Sequence, residues 1–293
     1  MSEKTLKTDE CGYFSVIDIP SEAKLRSFYK EKYFQISSGS YQTEYTSDEL
    51  KFFRNKIMQR LAASNKILNK TQGKFLDIGC GEGFTLSLLK DQGWDVCGID
   101  YSSHGSDLHN PDCSKYIRIG DFDIIANDFV SIQEKFDLIW VVNVLEHVRD
   151  PESLLERLKD LLSPGGVAAI TVPNDFSGLQ NLLLSNGLVD SPYWVVPPEH
   201  LHYFTAQSLK ALIEKSGFLC EDMLADFPID WFIANEKSNY VADKSAGKDA
   251  HIARLAIENL IAENPVDKIN RFYRELANIG FGRGITAFLR ADT

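Results

Sequence analysis

The sequence predicts an α/β protein built on a mostly parallel, doubly wound sheet. Three observations carry this. From Lys74 onward, short apolar runs alternate with amphipathic helical segments. The first run, Phe75-Leu76-Asp77-Ile78, ends directly in a glycine-rich turn, Gly79-Cys80-Gly81-Glu82-Gly83. Between later runs lies a helix with both of its ends signalled, by Asp150-Pro151 at the start and Pro164-Gly165-Gly166 after the stop.

Taken in order, residues 1–70 read as an N-terminal helical cap. Ser21 is placed to cap a helix carrying Leu25, Phe28 and Tyr29. Thr46 and Glu49 form a capping-box pattern before a longer helix with Leu50, Phe53, Ile57 and Leu61 on one face. Between them lie Tyr33, Tyr41 and Tyr45, which either pack on the core or close over a ligand. Residues 71–227 form the core. Its strands are Phe75–Ile78, Asp95–Asp100, Tyr116–Ile119, Phe136–Val142, Val167–Val172 and one within Phe218–Phe227. Its helices run from Thr85 to Gln92, from Pro151 with Leu154, Leu155, Leu158 and Leu161, and from Thr205 with Leu209, Leu212 and Ile213. Residues 228–284 read as a helical insertion, with one helix near His251–Glu263. A second helix has Asn264 as N-cap, Pro265 first, and Val266, Ile269, Tyr273 and Leu276 on one face. Residues 285–293 supply the final core strand.

The 293 residues carry 31 Lys+Arg against 42 Asp+Glu, a net charge of −11. Such a chain repels phosphate backbones at long range, which argues against nucleic acid or an anionic membrane as partner. Five cysteines, an odd number without C-x-x-C spacing, point to reduced thiols in the cytoplasm, with neither a disulfide framework nor a metal centre. The charged start and the lack of a long apolar run predict no signal peptide and no membrane span. A homodimer stays open.

The glycine turn carries the chemistry. Its spacing is G-x-G-x-G, with Asp77 two residues before Gly79. A dinucleotide fold shows G-x-G-x-x-G and sets a pyrophosphate on the helix N-terminus, which Asp77 would repel. A carboxylate there suits a ligand bearing an ammonium or a sulfonium. Asp100, ending the second strand, is placed to accept from two ribose hydroxyls, with Tyr101 against an adenine. Asp121 and the following Phe122 would meet the adenine edge, with Asp123 as a rival acid.

These residues resemble the class I S-adenosylmethionine-dependent methyltransferases. The resemblance rests on Leu76 to Gly83, Gly98-Ile99-Asp100, Phe136 to Ile139 with Asn143-Val144-Leu145-Glu146-His147-Val148, and Leu162 to Gly166. It implies a Rossmann-like seven-stranded sheet whose last strand is antiparallel, with S-adenosylmethionine as cofactor. It further implies that Asp77, Gly79, Cys80, Gly81 and Gly83 hold the amino-acid end, Asp100 the ribose, and Asn143 the methionine. Cys80 reads as small and tightly packed rather than nucleophilic. The segment Pro198 to Thr205 resembles a small-molecule branch that includes quinone-pathway O-methyltransferases and enzymes of cell-surface sugars.

Methyl transfer needs alignment more than activation, but a hydroxyl acceptor must lose a proton. His200 and His202 are the candidate bases, with a structural latch as the competing reading of each. Tyr203, Trp231 and Asn235 are candidate acceptor contacts, and residues 228–284 a candidate acceptor lid or a dimerisation arm. Gly280 to Gly284, with Arg283, reads as a tight turn or an anion site. The expected function is O-methylation of a small molecule, such as a sugar or sugar nucleotide. N- or C-methylation and a non-catalytic binding role are the alternatives. A nicotinamide dehydrogenase is disfavoured by Asp77.

Overall fold

The computed structural model describes residues 6–21, Lys24, Leu25, Phe28 and 44–291. Among the described residues ten strands are formed: β1 Leu6–Thr8, β2 Phe14–Val16, β3 Lys74–Ile78, β4 Asp95–Asp100, β5 Ile117–Ile119, β6 Phe136–Val142, β7 Leu162–Pro173, β8 His202–Tyr203, β9 Phe218–Ala225 and β10 Gly284–Ala291. Seven of them build one sheet in the order β5-β4-β3-β6-β7-β10-β9. β3, β4, β5, β6 and β7 are parallel, and β10 runs antiparallel to both β7 and β9. Strand order reverses at β3, whose neighbours are β4 on one side and β6 on the other. A crevice opens beyond the carboxyl ends at such a point. The register sets Asp77 opposite Gly98 and Trp140.

The helices are α1 Ser47–Leu68, α2 Phe84–Asp91, α3 His104–His109, α4 Phe122–Ser131, α5 Pro151–Leu161, α6 Gly178–Ser185, α7 Ala206–Lys215, α8 Gly247–Ile261 and α9 Val266–Asn278. Local sequence starts several of them. Thr46 and Glu49 close the expected capping box on α1, at 3.3 and 2.8 Å. Asp150 accepts from the Ser153 amide at the head of α5. Pro265, rather than Asn264, is the residue that caps α9. On α1 the buried face is Phe52, Ile57, Leu61 and Leu68, and Leu50 turns outward.

Two expectations change. Residues 6–16 are not helical: β1 and β2 pair antiparallel around a turn at Asp9–Gly12, and β8 joins them in a second small sheet. The Asp9 carboxylate accepts the Cys11 amide and Gly12 takes a φ of +85°, so the turn is local chemistry. Its third strand comes from nearly two hundred residues away, which no local pattern announces. Residues 228–284 are also not one lid. α9 packs on β9 and α1, burying Ile269, Tyr273 and Leu276, and Arg274 grips Asp222 of β9 with two bonds of 2.6 Å. α8 packs on α1, where Glu258 receives Lys56, Arg254 and Tyr273. Both helices therefore belong to a layer that covers the sheet. Only the stretch before α8, short 3-10 turns from Ile229 onward, lies outside that layer. Among the described residues no helix is long and apolar enough to cross a membrane.

Candidate active site

The site is assembled by the strand ends nearest the order reversal. Asp77, 3 % exposed, stands on β3 beneath the glycine turn. Gly79, Gly81 and Gly83 all have positive φ, at 75°, 53° and 76°. A Cβ on Gly79 would lie 2.5 Å from the Val144 side chain, so the turn admits no larger residue there. The Gly79 amide bonds Ile99 O at 2.8 Å, and the Gly81 amide bonds the Asp100 carboxylate at 2.8 Å. Asp100 also accepts from the Ser102 amide. It thus fastens the turn to β4 while keeping lone pairs for a ligand. Burial pushes its pKa up, against the backbone amides of Gly81, Ser102 and Tyr101. Cys80 is buried with its sulfur against Gly98, and burial pushes its thiol up, so it is packing rather than a nucleophile.

Burial also raises Asp77 to about 7, opposed by the charge of Arg60. Arg60 comes from α1 and faces Asp77 and Asp226, with its guanidinium 5.0 Å over the Trp140 ring. Burial lowers it to about 10. Sequence reasoning missed Arg60, because nothing local marks one arginine of a long helix as facing inward. Tyr45, from the tyrosine-rich segment, donates to both oxygens of Glu82 in the glycine turn, at 2.7 and 3.0 Å, and His109 lies 3.3 Å from the same carboxylate. Tyr33 and Tyr41 lie outside the described residues. Tyr101 is half exposed beside the crevice and donates to Asp121 at 3.3 Å. Asp121 caps α4 through the Asp123 and Ile124 amides, and Phe122 opens that helix. Asn143 directly follows β6 in the left-handed region, at φ 54°, exposed, with its amide held by Thr171 O. A non-glycine residue held there marks a strained turn at the strand edge.

The two candidate histidines separate. His202 is 2 % exposed and uses both ring nitrogens, Nδ1 with the Ser15 hydroxyl at 2.8 Å and Nε2 with Val148 O at 2.9 Å. It ties β2 to the segment after β6 and has no nitrogen left to take a proton. The expectation of a base at His202 is corrected to the latch reading. His200 differs: its Nδ1 is buried without a hydrogen-bond partner. Its ring stands edge-on to His147, with centroids 4.9 Å apart, and His147 Nδ1 lies 2.6 Å from Glu199 O. Glu146, His147 and His200 bring one ligand-type atom each within 4.8 Å of one another. They are close enough to share a proton or one cation, a grouping that no spacing in the sequence displays. Glu146 is 1 % exposed with neither carboxylate oxygen bonded, and burial raises it to about 8.

Two of the three candidate acceptor contacts, Tyr203 and Asn235, are committed to local structure, and Trp231 is not. Tyr203 is buried, and its hydroxyl donates to His200 O at 2.9 Å and accepts the Val196 amide, so it braces the loop below His200. Asn235 is exposed and caps a 3-10 turn by accepting the Lys237 amide. Trp231 is half exposed beside Phe227 and Phe281. Its neighbour Asp230 turns inward instead, accepting from Tyr240 and Gln180. Arg283 is not a free anion site, because it donates to buried Asp175 at 2.8 Å.

The latch predicts an acid-sensitive fold. Burial lowers His202 from 6.5 to about 4, so the unfolded chain takes up its proton first. Stability is then full above pH 6.5 and falls as pH drops towards 4, by on the order of 3 kcal/mol from this residue. Urea midpoints at pH 7.5 and pH 5 check it. His202→Gln should be less stable at pH 7.5 and lose less on acidification. An unchanged pH slope in the variant would remove the latch from the explanation.

Comparison with known proteins places this arrangement. The methyltransferase-domain family matches residues 45–222. A ubiquinone biosynthesis O-methyltransferase of Glaesserella parasuis is 35 % identical over 202 residues, covering 62 % of this chain and 83 % of its own. One of the same description from Pasteurella multocida is 29 % identical over 193 residues, covering 59 % and 78 %. A solved SAM-dependent methyltransferase from Archaeoglobus fulgidus aligns at 20 % identity with a TM-score of 0.46, covering 82 % of this chain and 96 % of that one. The family match spans the glycine turn, Asp100, the end of β6 and His200 together, and on that ground the chain belongs to the methyltransferase-domain family, as a class I S-adenosylmethionine-dependent methyltransferase.

Proposed function

We propose that the chain transfers the cofactor's methyl group to a hydroxyl of a small-molecule acceptor, with His200 receiving the proton. The observation that carries this is the His200 imidazole, held neutral by burial at about 4, with a buried and unpartnered Nδ1. The O-methyltransferase descriptions of the two relatives support it. When bound, the cofactor would supply an activated methyl group: the acceptor oxygen would bond its carbon as the carbon–sulfur bond breaks with its electron pair left on sulfur, and the hydroxyl proton would pass to His200 Nδ1. Sugar hydroxyls and phenols both suit this chemistry.

The cofactor's amino-acid end is a zwitterion. Asp77 would hold its ammonium and Arg60 its carboxylate, while Gly79, Cys80, Gly81 and Gly83 would let the backbone lie close. Asp100 would hold the ribose, Tyr101, Asp121 and Phe122 the adenine, and Asn143 the methionine. Trp231 and the stretch before α8 form the outer wall on the acceptor side. All five cysteines are free thiols, which supports a cytoplasmic enzyme.

Acceptor-dependent formation of S-adenosylhomocysteine tests the reaction, since a protein that only binds the cofactor releases none. Its pH profile tests the proton route. Glu146, raised to about 8, is protonated at pH 7 and ionises above pH 8. The carboxylate then stabilises an imidazolium beside it, so kcat at saturating cofactor should climb between pH 7 and 9. Glu146→Gln should lack that limb. If the variant keeps it, another group is the source. Repeating the assay after chelator treatment separates a shared proton from a shared cation at Glu146, His147 and His200.

A further inference from the structure

We infer that the acceptor is recognised through hydrogen-bond donors, at a subsite formed by Glu146, Asp175 and Asp230 around Arg283, so that a neutral or cationic hydroxyl compound is selected over an anionic one. This deepens the O-methylation reading and rests on it.

Four chain segments meet here and are fixed by backbone. Leu201 and His202 donate to Glu146 O, at 2.8 and 3.2 Å. The Asp175 amide donates to Phe204 O at 2.7 Å, and the Asn174 amide to Arg283 O at 2.8 Å. The Asn174 side-chain amide then spans Gly280 O and Gly282 O, at 3.1 and 3.0 Å, pinning the turn that carries Arg283. The ends of β6 and β7, the segment around β8 and the entry to β10 are thereby one rigid frame next to His200.

The frame holds more acceptors than donors. Both oxygens of Glu146 and Oδ2 of Asp175 are buried without a hydrogen bond, Glu146 Oε1 having only His147 Nε2 at 3.8 Å, and each residue is 1 % exposed. Asp230, 3 % exposed, receives Tyr240 and Gln180, at 2.9 and 3.3 Å. Arg283 is the guanidinium that faces Asp175 and Asp230, and it already bonds Asp175. One cation therefore stands against the carboxyl groups of Asp175 and Asp230, with Glu146 beside them protonated at pH 7, while His147 and His200 are kept neutral by burial. Buried acceptors left unmade are costly, and a ligand that brings O–H or N–H groups removes that cost. A carboxylate or phosphate brings further acceptors and like charge, which costs several kcal/mol in a desolvated place. The basic turn at Gly280–Gly284 is thus neutralised from within.

Catechol, dopamine and 3,4-dihydroxybenzoate present the same adjacent hydroxyls with charges of zero, plus one and minus one. Their binding to the full chain saturated with S-adenosylhomocysteine would be measured by calorimetry, alongside methyl transfer from labelled cofactor. Catechol and dopamine should bind tighter than 3,4-dihydroxybenzoate by roughly tenfold or more. Asp175→Asn, which removes one negative charge and frees Arg283, should close that gap. Equal or tighter binding of 3,4-dihydroxybenzoate by the unmodified protein overturns the inference, and so does binding of none of the three. Binding in the stated order without methyl transfer leaves the subsite standing and sinks the O-methylation reading.

Discussion

Asp77→Asn should weaken S-adenosylmethionine binding by about 30- to 5000-fold while leaving the fold intact. The substitution keeps size and shape but removes the one charge set to meet the cofactor's ammonium. Truncating one side of a buried, hydrogen-bonded charge pair costs about 2–5 kcal/mol, which converts to that range. The proton linkage makes the test sharper. Burial holds Asp77 at about 7, so in the empty protein near neutrality the carboxyl is partly protonated. A cationic ligand favours the carboxylate, so binding must expel that proton. Affinity should therefore fall by about tenfold for each pH unit below 7 in the unmodified protein and stay nearly flat in Asp77→Asn. Calorimetry in two buffers of different ionisation enthalpy reads the released proton directly. An affinity within threefold of the unmodified protein at pH 8, or no proton release, would show that Asp77 does not meet the ammonium. Arg60→Met, which removes the facing guanidinium, should raise the pH at which affinity fails.

His200→Ala should reduce kcat by about 10²–10⁴-fold, the usual worth of a positioned proton acceptor, with cofactor affinity unchanged. His200 sits on a loop braced by Tyr203 and makes no hydrogen bond to Asp77 or Asp100 among the described residues, so its loss should leave both in place. Single-turnover measurement at saturating cofactor isolates the chemical step from binding. His202→Gln is the built-in comparison. Its ring is committed at both nitrogens, so its effect should appear in stability, with kcat in the folded protein close to normal. A large kcat loss in His202→Gln beside a mild one in His200→Ala would reverse the assignment. Full activity in His200→Ala would mean that the acceptor needs no base, as an amine does not.

Much of this protein is readable in one dimension because its causes are local. The glycine turn shows in sequence because only glycine accepts its positive φ values, and Gly79 meets Val144 besides. Asp77, Gly81 and Asp100 lie within two consecutive strand ends, so their spacing survives folding. The capping boxes of α1 and α7 and the Asp150 cap are bonds across three residues, and each formed as the residue types require. What local pattern could not supply is pairing across distance. His202 looked equal to His200 until Ser15 and Val148 took its two nitrogens, one of them from 187 residues away. Arg60 looked like any helix arginine until α1 turned it towards Asp77. Arg283 looked like an anion site until β7 delivered Asp175 to it. α9 looked like part of a lid, yet its apolar stripe had to be covered, and β9 was the surface that covered it. The sequence alone determined the strand order of chemistry along the cofactor edge, since backbone conformation and short-range bonds are properties of neighbouring residues. The tertiary structure decided which histidine keeps a free nitrogen and which carboxyl groups crowd the acceptor side. A side chain's proton affinity and spare hydrogen bonds depend on what burial removes and on which distant group arrives to replace it.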